Sequence, residues 1–262
     1  MIQRMLAGLL SLLLITPMAL LLLLSFSRHW IFPDLLPAQW QLRQWSELLH
    51  GNSELARATL RSLAMATGVA LSSTALALPT SRGVARHRRR GTLLTLAYLP
   101  FAVSPVVLGA SLLYVFLRLH LAGGTGGVML GQFVFAYAYA VILLTSLWNP
   151  EAESLAGLAT TLGASPAQLW WRVLVPRALP LLAVCLFQTF LISWFDYALE
   201  LLIGSGLVDT LTIRLFQYFS AGDTRLAATC ALLLMAPPLL GLVLNQRLLS
   251  AGLLFRGLEH DD

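Results

Sequence analysis

Long blocks of apolar residues, separated by short polar stretches, form the pattern along this chain. An α-helix rises 1.5 Å per residue, so about 20 mostly apolar residues cross the hydrocarbon core of a bilayer. Several blocks reach that length and lack the one-sided apolar spacing of a helix on a soluble protein. The pattern predicts an all-α integral membrane protein that forms one domain over residues 1–262. Its six predicted transmembrane helices lie at about residues 6–26, 59–79, 93–117, 128–147, 179–202 and 226–244.

Two of these segments need further comment. The first has a leucine-rich centre and one preceding positive charge, Arg4, as a secretory signal does. No small-residue cleavage site follows, so we expect an uncleaved first span. The third is interrupted by Pro100 and Pro105, and we predict it as a single span.

The orientation of the spans follows from the loop between the second and the third. Five arginines lie between residues 81 and 90. Positive residues in short loops stay on the cytoplasmic side, so we expect this loop, both termini and the segment 149–178 to be cytoplasmic. A run of arginines can also bind nucleic acid. The topological explanation accounts for this one, and no nucleic acid partner is expected.

The composition agrees with a chain whose solvent is membrane lipid. Of its 262 residues, 58% are hydrophobic and 11% are charged, and the mean hydropathy is +0.77, which excludes a soluble domain of this size. The net charge of +5 comes from arginine, because the chain has no lysine. Cys185 and Cys230 have no nearby His or second Cys, so no metal site is expected. The five histidines lack the paired spacing that would indicate a membrane enzyme.

The segment between the fourth and fifth predicted spans has the most informative pattern. It predicts a short helix that breaks at Gly163, then a second helical stretch with Leu169, Trp170 and Val173 on one face, which ends at Pro176. Its apolar side chains are costly to leave in water, so we expect a partner protein to cover them. A simple surface linker is the alternative.

This segment resembles the cytoplasmic EAA loop of binding-protein-dependent ABC permeases. The pattern of that loop is Glu-Ala-Ala, three residues, a glycine, and later a bulky residue and Leu-Pro. The first half departs from the pattern, because Gly157, Leu158 and Ala159 occupy the Glu-Ala-Ala positions. Glu151 and Glu153 lie nearby but out of register. The second half matches relative to the glycine, at Gly163, Ala164, Ser165, Trp170, Arg172, Val173, Pro176 and Pro180.

The resemblance implies a type I importer permease fold in the bacterial inner membrane. Two permeases, the second a homologue or a copy of this chain, would combine with a cytoplasmic ABC ATPase dimer and a periplasmic solute-binding protein. No cofactor is expected on this chain. ATP and magnesium would be held by the ATPase, because this chain lacks a phosphate loop of the form Gly-x-x-x-x-Gly-Lys-Ser/Thr. The implied ATPase-coupling residues are Gly157, Ala159, Gly163, Ala164, Ser165, Leu169, Trp170, Trp171, Val173 and Pro176.

Two further stretches resemble the spermidine/putrescine-type branch of the family most, the one from Ser193 to Asp196 and the one at 210–214. Two positions depart from that branch, since Thr212 replaces a proline and Tyr197 replaces an acidic residue. This resemblance favours a polyamine or a similar small organic cation as the solute. Ferric iron, thiamine and phosphonate stay open.

Four polar residues of the fifth predicted span are candidates for the solute pathway or its gate, namely Gln188, Ser193, Asp196 and Glu200. Asp196 and Glu200 are one helical turn apart and so share a face. An ionisable group inside a membrane is costly, which makes it a functional candidate. Two carboxylates would suit a cation. The alternatives are an outer gate that pairs with Arg214, hydrated groups at the outer interface and, for Gln188, a bond between helices.

The rival in another functional class is a secondary transporter or channel subunit without an ATPase. Such a protein would show charged residues near the middle of a span or an inverted repeat, and neither is evident in this sequence. The rival also leaves the pattern at residues 163–180 unexplained.

We expect the purified chain to have no ATPase activity of its own and to co-purify with a cytoplasmic ATPase. The physical reason is the missing phosphate loop beside a matching coupling segment. ATP turnover by the isolated subunit, measured after removal of every partner, would contradict the prediction. The same preparation mixed with the ATPase serves as the positive control.

Overall fold

A computed structural model describes residues 2–27, 39–42, 45, 46, 48 and 53–258, with the helix backbone alone described from residue 242 onward. The regular structure of these residues is helical, apart from one isolated bridge between Ser27 and Trp40. The predicted all-α class is therefore confirmed. The helices are α1 Ile2–Phe26, α2 Glu54–Arg86, α3 Arg90–Ala102, α4 Pro105–Arg118, α5 Thr125–Thr145, α6 Pro150–Thr161, α7 Pro166–Gln168, a π-helical segment Leu169–Leu174, α8 Val175–Trp194, α9 Ala198–Gly204, α10 Leu211–Ser220 and α11 Thr224–Leu258.

The helices form two compact units. One consists of Met1–Ser62 and Asp209–Asp262. In it α1 packs along α11, and α10 packs on α11 as well. Polar side chains join these elements, since Ser25 Oγ lies 3.0 Å from Thr229 Oγ1 and accepts a 2.9 Å hydrogen bond from the Trp45 indole.

The other unit, Leu63–Val208, holds the remaining helices around α5. In this unit α5 packs against α3, α8 and α9, and α9 packs against α4. Small residues allow close approach between helices, as is usual in lipid, since a Cβ on Gly131 of α5 would lie 2.6 Å from Cδ1 of Ile203 on α9. At the start of α5, a Cβ on Gly127 would lie 2.0 Å from the backbone oxygen of Leu121 in the preceding loop. The apolar core of the unit comprises Met65, Phe116, Val128, Phe135, Leu199, Ile203 and Val208.

Helices cover all six predicted spans. Among the described residues, α2, α5, the continuous helix Pro166–Trp194 and Thr224–Gly241 of α11 are long and apolar enough to cross a membrane. The pair α3–α4 would be a fifth crossing if it is one bent span, and the shorter apolar helix Ile15–Phe26 lies in α1. The count of six and the cytoplasmic side of both termini stay predictions.

The third predicted span, at 93–117, is not one straight helix, and its crossing of the membrane as a single span stays a prediction. Helices α3 and α4 meet at an angle of 95°. The break lies at Val103 and Ser104, whose backbones are extended, with ψ values of 138°. Pro105 disfavours a helical residue before it and lacks an N–H, so it ends α3 and begins α4.

The fifth predicted span also has different bounds from those expected at 179–202. One helical run extends from Pro166 to Trp194, and a turn at 195–197 separates it from α9. Pro176 was expected to end the stretch before this span, and that expectation is wrong. The wider π turn, in which the N–H of Val175 bonds to the carbonyl of Trp170, lets the chain pass this proline without the clash of a regular helix.

We expect Gly127→Ala to destabilise the protein, because the added Cβ would collide with the backbone of Leu121, which cannot move aside as a side chain can. Overpacking of this kind costs about 1–3 kcal/mol. Gly126→Ala is the matched control, since nothing lies within 4 Å of its Cβ position and alanine favours a helix. Thermal unfolding in detergent should show a lower midpoint for Gly127→Ala alone. Equal midpoints would contradict the close approach.

Candidate functional site

The segment 149–178, which is predicted to be cytoplasmic, is a pair of helical stretches with well-defined ends. Asn149 caps the start of α6, its side chain accepting a 2.8 Å bond from the backbone N–H three residues on. The helix is interrupted at Gly163, as the sequence predicts, and this glycine has a left-handed φ of +82°. The N–H of Gly163 bonds to the carbonyl of Thr160, and that of Ala164 to Ala159, each at 3.0 Å. This is a Schellman motif, which satisfies the last carbonyls of the helix and fixes its direction.

The second stretch also begins at a side-chain cap. Ser165 Oγ accepts from the backbone N–H of Gln168, and the Gln168 side chain accepts from the N–H of Ser165. This capping box begins a helical run that continues through the π segment into α8 without interruption. We call residues 149–178 the coupling segment. It comprises α6 and, beyond the turn at Gly163, the first part of the helical run Pro166–Trp194.

Three large apolar side chains of the coupling segment are exposed. The exposed fractions are 86% for Leu162, 74% for Trp171 and 60% for Leu158. Trp170, expected to face a partner, is instead half-buried against this chain. Among the other predicted coupling residues, Leu169 is buried, Ala159, Ala164 and Val173 are half-buried, and Gly157, Gly163, Ser165 and Pro176 are exposed.

Trp170 packs into a cluster with Trp148 and Arg82. The two indoles meet edge to face with centroids 6.1 Å apart. The guanidinium carbon of Arg82 lies 5.4 Å from the centroid of Trp148 and 5.5 Å from that of Trp170. Each such contact contributes about 0.5–2 kcal/mol. The Trp148 indole also donates a 2.8 Å hydrogen bond to Ser81 Oγ, which fixes the ring.

Both acidic residues near the missing Glu-Ala-Ala glutamate bind arginines of this chain. Glu153 Oε1 lies 3.3 Å from Arg82 Nε and 3.0 Å from Arg86 Nε, and Glu151 lies 3.0 Å from Arg177. Hydrogen bonds from Arg86 and then Arg82 hold the pKa of Glu153 below its ordinary value, so it is ionised at neutral pH. Arg82 is only 8% exposed, whereas the Glu153 side chain is 28% exposed, so the pair lies at the edge of the buried region.

A second polar group lies around Gln132, within the unit Leu63–Val208. Gln132 is 1% exposed. Its amide nitrogen donates to Asp196 Oδ2 at 3.1 Å and to Glu200 Oε1 at 3.4 Å, and its amide oxygen accepts from Ser193 Oγ at 2.6 Å. Sequence reasoning missed this residue. The available signal was that it is the one side-chain amide in the predicted fourth span.

The turn between α8 and α9 positions the two carboxyl groups. Asp196 lies in this turn and accepts from the backbone N–H groups of Leu199 and Glu200, at 3.4 and 3.3 Å. The structure thus brings Ser193, Asp196 and Glu200 together, whereas Gln188, half-buried on α8, is not in the described hydrogen-bonded group. Beside them lies a cavity of about 120 Å³, lined by Pro105, Gln132, Phe135, Ile192, Asp196 and Leu199.

Arg214, considered above as a gate partner, is held by carboxylates of its own unit. Its guanidinium lies 2.6 Å from Asp209 and 3.0 Å from Glu54. The hydrogen bond with Asp209 is the largest cause that keeps the pKa of Arg214 above its ordinary value, and the negative charge of Glu54 adds to it. The arginine therefore already has charged partners near the start of α10.

Known proteins resemble this chain in sequence and in fold. The model of the family described as "Binding-protein-dependent transport system inner membrane component" matches residues 74–253. The molybdenum transport system permease protein ModB of Mycobacterium tuberculosis is 33% identical over 152 residues, which cover 53% of this chain and 57% of that protein. The spermidine/putrescine transport system permease protein PotC of Haemophilus influenzae is 24% identical over 204 residues, which cover 77% and 79%.

A solved structure shows the same fold. The crystal structure of a bacterial ABC transporter involved in the import of the acidic polysaccharide alginate matches with a TM-score of 0.67 at 17% identity, over 94% of both chains. This match confirms the predicted importer permease fold. The family match includes the whole coupling segment and the residues around Gln132. The chain belongs to the family of binding-protein-dependent transport system inner membrane components.

Proposed function

We propose that this chain is a permease subunit of an ATP-driven importer in the bacterial inner membrane. In this proposal it works with a second permease, a cytoplasmic ABC ATPase dimer and a periplasmic solute-binding protein. The coupling segment carries the proposal. Both of its helical stretches begin at a side-chain cap, and it exposes Leu158, Leu162 and Trp171.

The exposed side chains support a protein partner on the cytoplasmic side. Leu158 and Leu162 are four residues apart and so lie on the same side of the end of α6. Burying a leucine stabilises a contact by about 1.5–3 kcal/mol, and a tryptophan buries a larger area. Neighbouring apolar groups of this size mark an interaction site. The surface lacks the family's glutamate, so apolar contact replaces a charged one in the proposed interface with the ATPase.

The helix Pro166–Trp194 connects the proposed interface to the part of the chain predicted to lie in the membrane. Its 29 residues form one run, about 43 Å long at 1.5 Å per residue. Its cytoplasmic end belongs to the coupling segment, and its other end carries Ser193 and the turn with Asp196. Movement of the coupling segment on ATP binding would therefore be delivered to the polar group around Gln132 as rigid-body motion.

The polar group around Gln132 supports a cationic solute. Two carboxyl groups share one amide donor beside the small cavity, and a positive group there would offset their mutual repulsion. A cavity of 120 Å³ has room for about four waters at 30 Å³ each, which suits an ammonium group and not a large solute. The likeness to PotC adds to this, so we propose a polyamine or a similar small organic cation.

Trp171→Asp and Leu162→Asp should each reduce the ATPase stimulation that the loaded binding protein produces. A charge in an apolar interface is strongly unfavourable, so the loss should be tenfold or more if it costs about 1.4 kcal/mol or above. The measurement is ATP turnover in proteoliposomes that contain the permeases, the ATPase and the binding protein. Thr160→Asp, exposed on the other side of α6, is the matched control. Normal stimulation in both test variants would show that the segment is only a linker.

Asp196→Asn should lower putrescine uptake in the same proteoliposomes. Asparagine keeps the size, and its one oxygen can still accept from the backbone N–H of Leu199, although its NH2 group cannot accept from Glu200 or Gln132. It removes the charge that would offset the lost hydration of a cation. Asp196→Glu keeps the charge and should retain more uptake. Raised basal ATP turnover with normal uptake would instead identify a gate. Unchanged uptake and turnover would mean that Asp196 only holds the turn before α9.

A further inference from the structure

Arg82 differs from the other arginines of the cytoplasmic turn between α2 and α3. It is buried, whereas Arg88, Arg89 and Arg90 are exposed. The orientation of a span requires positive charges near the cytoplasmic surface, but it does not require one of them to be buried between two indoles. The topological explanation therefore covers the exposed arginines and leaves Arg82 without a function.

The surroundings of Arg82 join α2 to both halves of the coupling segment. Glu153, in the first turn of α6, accepts hydrogen bonds from its Nε and Nη2 at 3.3 and 3.5 Å. Trp170, in the π segment beyond Gly163, lies against the face of the same guanidinium. One side chain of α2 thus contacts the segment on either side of its break. Arg86, one turn later on α2, binds Glu153 as well.

This arrangement resists relative movement of the parts that it joins. A buried guanidinium is stable only while its carboxylate and aromatic partners stay in place. A shift of α6 away from the end of α2 would leave Arg82 buried without a counter-charge. Movement of α6 together with the end of α2 is therefore favoured, because it keeps Arg82 paired. It also keeps the partners of Arg86 and Trp148 in place.

We propose that Arg82 and Glu153 are positioning residues that make the cytoplasmic end of α2 move with the coupling segment. This inference rests on the proposed function, because it concerns how movement imposed by the ATPase spreads through the permease. Helix α8 receives that movement through the continuous backbone. Helix α2 receives it through the ion pair.

The test compares Glu153→Gln and Arg82→Gln with the wild type, in nanodiscs that contain the ATPase. Spin labels at Gly83→Cys on α2 and Thr160→Cys on α6, both exposed positions, report the distance between the two helices. Buried Cys185 and Cys230 are first replaced by serine. In the wild type the distance distribution should be the same with and without ATP. In each single variant it should broaden or shift when ATP is added.

A second readout is the ATP turnover that the loaded binding protein stimulates. We expect each single variant to lose about fivefold or more, the lower end of typical coupling between sites. The double variant Arg82→Gln/Glu153→Gln should lose no more than Glu153→Gln alone, because that change already removes the carboxylate that Arg82 and Arg86 share. Arg88→Gln, which removes an exposed arginine of the same turn, should leave both readouts at wild-type values.

Different results separate this inference from the proposed function. Wild-type distances and wild-type stimulation in both single variants would overturn the positioning role and leave the proposed function intact. A wild-type subunit that neither binds nor stimulates the ATPase would overturn both. If Glu153→Gln fails to insert, Glu153→Asp keeps the charge on a side chain one methylene shorter. Its distance distribution should still broaden with ATP, and a wild-type distribution there would contradict the role.

Discussion

Lipid offers no hydrogen-bonding partner, so each polar group that a membrane protein buries must find its partner within the protein. A charge buried within the protein is under the same constraint. Two groups of residues in this chain meet these constraints in a way that also links distant parts of the sequence. Gln132 satisfies both ends of its amide with Ser193, Asp196 and Glu200, and so connects α5 to α8 and α9. Arg82, beyond the predicted second span, connects α2 to α6 and the π segment. A polar residue in this setting specifies its neighbours more narrowly than an apolar one, because a shifted partner leaves a donor or a charge unsatisfied.

The helix Pro166–Trp194 relates the two groups to each other. It begins within the coupling segment and ends at the turn that holds Asp196. A proline in the middle of such a helix would normally kink or break it. Here the wider π turn before Pro176 lets the helix continue. Continuity has a physical consequence for transport. A helix is stiff along its axis, so in the proposed function a partner that moves Trp171 would move the far end of α8 as well. The proposed interface and the polar group around Gln132 would then be joined by one helix.

The coupling segment lacks the glutamate that the family pattern places at residue 157. Glu151 and Glu153 supply negative charge, but the structure directs both to arginines of the same chain. The outward surface is left with leucine and tryptophan side chains. A family pattern defined by residue spacing does not distinguish a carboxylate that faces a partner from one that orients its own helix. In this chain the carboxylates orient the helix, and apolar area is what remains for the proposed contact with the ATPase.

The fold class, the approximate place of each long helix, the break at Gly163 and the family could be predicted from the sequence. These features depend on local composition and short-range pattern, since an apolar run favours a helix in lipid and a glycine permits a left-handed turn. Four features became visible in the folded structure alone, namely the bend between α3 and α4, the continuous helix through Pro176, the hydrogen bonds around Gln132 and the contacts of Trp170 with Trp148 and Arg82. Each of these depends on residues far apart in the chain or on hydrogen-bond geometry within a helix. Arg82 and Trp170, for example, are separated by 88 positions in the sequence yet share one contact, and no local pattern records that proximity.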